Sequence, residues 1–186
     1  MKPSFLLTVF VISCLQIFAQ QDTALSFVED AIRSRKDVRK IVYLDSSITF
    51  YQPFRHFIRS GKVEGFKGQA KTSMTFTAKE VRSIDKAFQR VGVVGWHDTL
   101  FANSVRVNQD TLLLLSKDAN SNAYFKQQFA NKYFLFSEPV FVRNGNVAIF
   151  RVAEMFGHSA GNDLLYIYSK EQGKWEQQML IYAGAW

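Results

Sequence analysis

Residues 156–161 read Phe-Gly-His-Ser-Ala-Gly, and Gly157 to Gly161 fit G-x-S-x-G, the turn that presents the nucleophile of many serine hydrolases. That chemistry needs a buried strand before the serine, a helix after it, and an acid and then a histidine later in the chain. The strand is expected here. The residues after Gly161, Asn162 to Tyr168, read as a second strand, and no histidine follows Ser159. The three histidines are His56, His97 and His158, and the last is too close in sequence to swing its ring onto its neighbour's hydroxyl. The pattern therefore reads as a turn. Its glycines allow positive φ, and its Ser, Asn and Asp side chains bond to nearby amides. A catalytic Ser159 would need His56 or His97 as base in another fold.

Glu154 is the second candidate. It is the one carboxylate within a strongly apolar run, and burial could raise it into the range of a general acid. The alternative is an ion pair, with Arg151 or another cation, or a side chain that points to solvent. His97-Asp98 matches no metal-binding spacing, and there is no Walker loop or G-x-G-x-x-G. No cofactor or metal is expected.

A third group lies in residues 50–71, where Phe50, Tyr51, Phe54, Phe57 and Phe66 alternate with Arg55, Arg59, Lys62, Lys67 and Lys71. These five cations are candidate contacts for an anionic ligand or surface. The same mixture arises when aromatics face a core and cations face water. The net charge is +7 and uneven: residues 33–90 hold 14 Lys or Arg against 5 Asp or Glu, residues 91–186 hold 8 of each. An anionic surface or an acidic envelope protein is the partner class this favours; nucleic acid is disfavoured by the expected export.

Export is read from residues 1–19. Lys2 precedes an apolar block from Phe5 to Phe18, and Ala19 offers a small residue before Gln20 and Gln21, the layout of a secretory signal. The block is too short to span a bilayer. Cys14, the only cysteine, sits in a loose lipoprotein-like context, but the apolar run continues past it, so cleavage after Ala19 is favoured over lipidation. The expected mature chain, 20–186, is one domain in the periplasm, at the cell surface or outside the cell, without disulfides or a further transmembrane segment.

The elements that would position these residues follow from periodicity and caps. Asp22 can cap a helix over 23–34 with Leu25, Val28, Ala31 and Ile32 on one face. Ile41 to Leu44 suggests a strand, and the residues to Phe57 a loop followed by a strand or short helix. Thr77-Ala78-Lys79-Glu80 spells a capping box, opening a helix through Val81, Ile84, Phe88 and Val91 that Gly92 would close. Asp110 can cap a turn through Leu115, and Asn120 or Ser121 a helix to Phe129. The last third holds short apolar runs separated by turn residues, notably Asn144-Gly145 and Gly173. The expectation is α+β: N-terminal helices followed by an antiparallel meander of about four strands, with Val147 to Phe156 central and buried on both faces.

The run from Phe136 to Gln178 is similar to the terminal segment of uncharacterised exported bacterial proteins, through Ser137-Glu138-Pro139-Val140-Phe141 and Gly173-Lys174-Trp175. Helices followed by a meander ending in a Gly-Lys-Trp hairpin also resemble the cone-shaped folds of the nuclear-transport-factor-2-like type. That resemblance implies a pocket between helices and a curved sheet; it implies no activity. The function expected is an exported, non-catalytic binding or interaction module, with an envelope hydrolase using the same pocket as the alternative.

Overall fold

The computed structural model describes residues 23–33, 41–50, 54–89, 95–96, 100, 104–111, 132–156 and 160–185. Helix α1 covers residues 23–33, and strand β1 is Ile41–Leu44. Helix α2 (Phe54–Arg59) leads into a hairpin of β2 (Lys62–Lys67) and β3 (Ala70–Thr75), followed by helix α3 (Ala78–Phe88). Then come β4 (Ser104–Val107), β5 (Lys132–Phe136), β6 (Val140–Val142), β7 (Val147–Phe156), β8 (Ala160–Glu171) and β9 (Lys174–Ala185).

These nine strands form one mixed sheet in the order β3-β2-β9-β8-β7-β5-β1-β4, with β6 also on β7. The chain is α+β, but it is not helices followed by a four-strand meander. Strands β1 to β3 are interleaved with the helices, and β1 runs parallel to both β4 and β5. Only three consecutive strands, β7-β8-β9, form an antiparallel meander, with hairpin β2-β3 added to its outer side and β5-β1-β4 to the other. Among the described residues no helix is long and apolar enough to cross a membrane.

Strand β7 is buried from Val147 to Glu154, as its two apolar faces require. Side chains alternate across a strand, so its residues divide between two cores. Ala148, Phe150 and Val152 meet Tyr43, Phe134, Phe136 and Tyr168 beneath α1. Val147 and Ile149 join Leu165, Ile167 and Met179 beneath Phe54 and Ile58 of α2 and Ile84 and Phe88 of α3. Helix α1 buries Val28, Ala31 and Ile32 of the expected face, together with Phe27.

Local chemistry sets several boundaries. At α3 the capping box forms: the Glu80 amide donates to Thr77 Oγ1 at 3.2 Å, and the Thr77 amide donates to Glu80 Oε2 at 2.7 Å. The helix ends earlier than the apolar spacing suggests, at Phe88 with Gln89 as its cap; Gly92 lies outside the described residues. Asn108 caps the turn at 109–111, its side chain accepting from the Thr111 amide at 2.7 Å; the rest of the expected turn from Asp110 through Leu115 lies beyond Thr111, outside the described residues. In the β8-β9 hairpin the two loop residues, Gln172 and Gly173, both have positive φ (50° and 83°), the turn whose twist suits a two-residue hairpin. Arg143, in the β6-β7 turn, donates to the Thr75 carbonyl at 2.6 Å and to Glu80 Oε1 at 3.2 Å, tying that turn to β3 and α3.

The Thr77 backbone N–H, helped by the Thr77 hydroxyl and Arg143, holds the Glu80 carboxyl below its ordinary range. A depressed pKa contributes stability that is present above the unfolded carboxylate's pKa and lost as pH falls through the folded one. Thr77→Ala is expected to cost about 1 kcal/mol at neutral pH. Glu80→Gln should also be less stable than the parent at neutral pH, the gap closing as pH falls below the carboxylate range. Urea melts of parent and variant at pH 7 and pH 3 check both; a Glu80→Gln gap that persists at pH 3 would mean the charge is not its source.

Candidate functional site

The site begins where β1 leaves the sheet. The Asp45 amide donates to the Val107 carbonyl at 2.8 Å, the Trp96 amide to the Asp45 carbonyl at 2.6 Å, and the Ile48 amide to the Phe136 carbonyl at 2.8 Å. Residues 45–48 are thus stitched to three neighbours, and Phe50 stacks on Phe88 of α3, ring centres 4.2 Å apart.

Beneath them lies a buried ion pair. Arg151 of β7 donates from Nε and Nη2 to the two carboxylate oxygens of Asp163 on β8, both at 2.9 Å. Its Nη1 donates to the Thr49 carbonyl, and its guanidinium lies 5.3 Å from the Phe54 ring centre. The Arg151 amide donates to Ser137 Oγ at 3.0 Å, and the Ser137 amide to the Arg151 carbonyl at 3.0 Å. One arginine therefore fixes the 47–50 segment, α2 and the corner between β5 and β6. A fork-shaped guanidinium can serve so many acceptors because its donors point in several directions. Pro139 follows in that corner, where its missing donor costs no ladder bond.

Between this segment, α3 and the corner opens a cavity of about 290 Å³. Ser83, Lys86 and Ala87 face it from one stripe of α3, their i, i+3 and i+4 spacing placing them side by side. Ser47 and Thr49 line it from the loop and Glu138 from the corner, with Phe50 and Val140 beside them; Phe141 borders it through its backbone, its ring packing on Phe27 across the sheet. The cavity thus offers one ammonium, one carboxylate and three hydroxyls, each able to donate or accept, beside aromatic and aliphatic surface. No histidine or cysteine is among its described lining residues. Smaller and more apolar, a second cavity of about 230 Å³ sits beside Arg151, lined by Tyr133, Leu135 and Met155. Burial pushes the Tyr133 phenol up from its ordinary range.

The sequence-derived candidates fall elsewhere. Glu154 is buried but faces the α1 side of the sheet, with Lys132 Nζ 3.5 Å away, while Arg151 takes Asp163 instead. His56 is exposed on α2, on the opposite side of the sheet from Glu154. Ser159, His97, His158 and Cys14 lie outside the described residues. The chain re-enters at Ala160, paired with Phe156, and continues as the strand β8 where a nucleophile elbow would open a helix.

Of the five cations, Arg55 clamps α2 to α3 through Asp85, at 2.6 and 3.0 Å. Arg59 is exposed at the end of α2. Lys62, Lys67 and Lys71 are all on the β2-β3 hairpin: Lys62 pairs with Glu64 at 2.7 Å, Lys67 donates to Gln178 at 3.1 Å, and Lys71 stands across from Phe66. The cavity residues Ser47, Thr49, Ser83, Lys86 and Glu138 carry no motif; the one local hint is the Ser-Glu-Pro corner. Among the described residues no group of three or more His, Cys, Asp or Glu side chains is placed to hold a metal ion. Comparison of the chain with protein-family models, curated proteins and solved structures finds no match.

Proposed function

We propose that this chain is an exported, non-catalytic binding module whose cavity between α3 and the β5-β6 corner holds a small polar molecule bearing both an anionic and a cationic group. A free amino acid or a short zwitterionic peptide has that chemistry. The observation that carries the reading is the placing of Lys86 and Glu138 on one cavity together with the hydroxyls of Ser47, Thr49 and Ser83. The ammonium suits a carboxylate, the carboxylate suits an amine, and Phe50 suits an apolar side chain. The volume fits a ligand of that size and little more. Export rests on the layout of residues 1–19.

The test is native mass spectrometry of protein purified from its host's envelope, followed by calorimetric titration with a panel of amino acids and dipeptides. An adduct of a few hundred daltons is expected. Ser83→Trp, a change at an exposed helix position that fills the cavity, should abolish it without lowering the melting temperature. Lys86→Ala should weaken binding about tenfold or more, the value of a hydrogen bond to a charged group. Bare protein with no heat of binding across the panel, or an adduct indifferent to Ser83→Trp, would sink the proposal.

A further inference from the structure

We propose that the outer edge of β3 is a docking strip for an extended, acidic segment of a partner protein, which adds to the sheet as a further strand. The inference is independent of the cavity and starts from the phase of the hairpin's hydrogen bonds. The Phe76 amide donates to the Gly61 carbonyl at 2.7 Å, just beyond the Lys62–Thr75 pair. Bonded and non-bonded pairs alternate in an antiparallel ladder. The inward-bonding pairs are therefore Val63–Met74, Gly65–Thr72 and Lys67–Ala70, and residues 71, 73 and 75 turn their N–H and C=O groups outward. Arg143 confirms the phase, since it reaches the Thr75 carbonyl from outside the hairpin.

Lys71 and Ser73 remain beyond that contact, both exposed, and among the described residues no strand pairs on the outer side of β3. The hairpin is firmly seated. Gly65 lies so close to β9 that a Cβ there would run into the Leu180 carbonyl and the Met179 side chain. The edge is thus presented by a sheet and not by a loose arm.

The side chains beside this edge indicate what it takes. Phe66, directly across from Lys71, is 45% exposed. A surface cavity of about 440 Å³, lined by Glu64, Phe66, Lys71, Thr72 and Ile181, opens beside the edge and could receive an apolar side chain. Lys62, Lys67 and Lys71 face a single carboxylate on the hairpin, Glu64, which Lys62 already engages. The surplus is cationic, so it complements an acidic strand. It also opposes pairing of two copies, which would bring two cationic hairpins together. Main-chain bonds along the edge would supply affinity, and alternate side chains over Phe66 and Lys71 the selectivity.

The test uses the full chain and a fluorescent heptapeptide, Glu-Val-Glu-Val-Glu-Val-Glu, with its lysine counterpart as control. Fluorescence anisotropy should show the acidic peptide binding and the lysine peptide not. Ser73→Pro removes one outward N–H and no ladder bond, so the fold should keep its melting temperature while peptide binding falls at least tenfold. Lys71→Glu should weaken the acidic peptide and admit the lysine one. No binding of the acidic peptide, or equal binding to parent and Ser73→Pro, overturns the proposal. Two other results overturn it in favour of another occupant. A dimer in sedimentation velocity that Ser73→Pro dissolves would make a second copy the occupant. Binding to anionic phospholipid vesicles that Lys71→Glu removes and Ser73→Pro leaves intact would make a membrane surface the occupant.

Discussion

Asp163→Ala will destabilise the fold by about 3–5 kcal/mol, the cost of breaking a buried ion pair from one side. The Arg151 guanidinium would keep only the Thr49 carbonyl and the Phe54 ring as partners in a site where the two side chains are 11% and 8% exposed. An uncompensated charge in that setting costs more than the intact pair contributes. For the same reason Arg151→Met combined with Asp163→Leu should be less damaging than Asp163→Ala alone, because apolar groups of similar size leave no stranded charge. Chemical denaturation of the single and double variants gives the two numbers; a double variant worse than the single would mean that packing, not charge, dominates the site. Arg151 also holds the 47–50 segment, so the double variant should free residues 46–50. Faster amide exchange there, with β8 and β9 unchanged, is the expected signature, and small-ligand occupancy should fall with it.

Phe27→Ala will cost about 3–5 kcal/mol, the range for removing a buried aromatic from a core. Phe27 is fully buried and meets Phe141, Phe150, Tyr168 and Trp175 edge-on, at centroid distances of 5.7, 5.2, 5.2 and 4.9 Å. Each such pair adds to the burial itself, because the positive ring edge meets a negative face. Removing the hub leaves four rings without their common neighbour and weakens the hold of α1 on the sheet. Near-ultraviolet circular dichroism should lose intensity, and protease should cut within 23–33 at conditions the parent survives. A Phe27→Ala variant whose melting temperature matches the parent's would show that α1 contributes little. Phe66→Ala is the contrasting case: its ring is exposed on the hairpin, and the change should leave global stability nearly untouched.

Much of the local structure is written in adjacent residues. The Thr77–Glu80 cap, the Asn144-Gly145 and Gly173 turns, and the buried alternation of Val147 to Glu154 depend on neighbours within a few positions. The apolar face of α1 was legible the same way, though Phe27, its most connected residue, was missed because the i, i+3, i+4 spacing is already satisfied by Leu25, Val28, Ala31 and Ile32. The β2-β3 hairpin was missed because the inward position after Val63 is Gly65, which has no apolar side chain, and the outward position beside it is the aromatic Phe66, so polar and apolar residues do not alternate.

By itself, then, the sequence determined a basic N-terminal half, the Thr77–Glu80 cap, the turns at Asn144-Gly145 and Gly173, and a two-faced central strand, because these are short-range energies. Only the tertiary structure decided that β1 lies between β4 and β5, that Arg151 chooses Asp163 over Glu154, and that Ser47, Lys86 and Glu138 share one cavity. Those outcomes bring together residues tens of positions apart. Which distant segments meet depends on how the two faces of the whole sheet are covered, and no local run of residues records that.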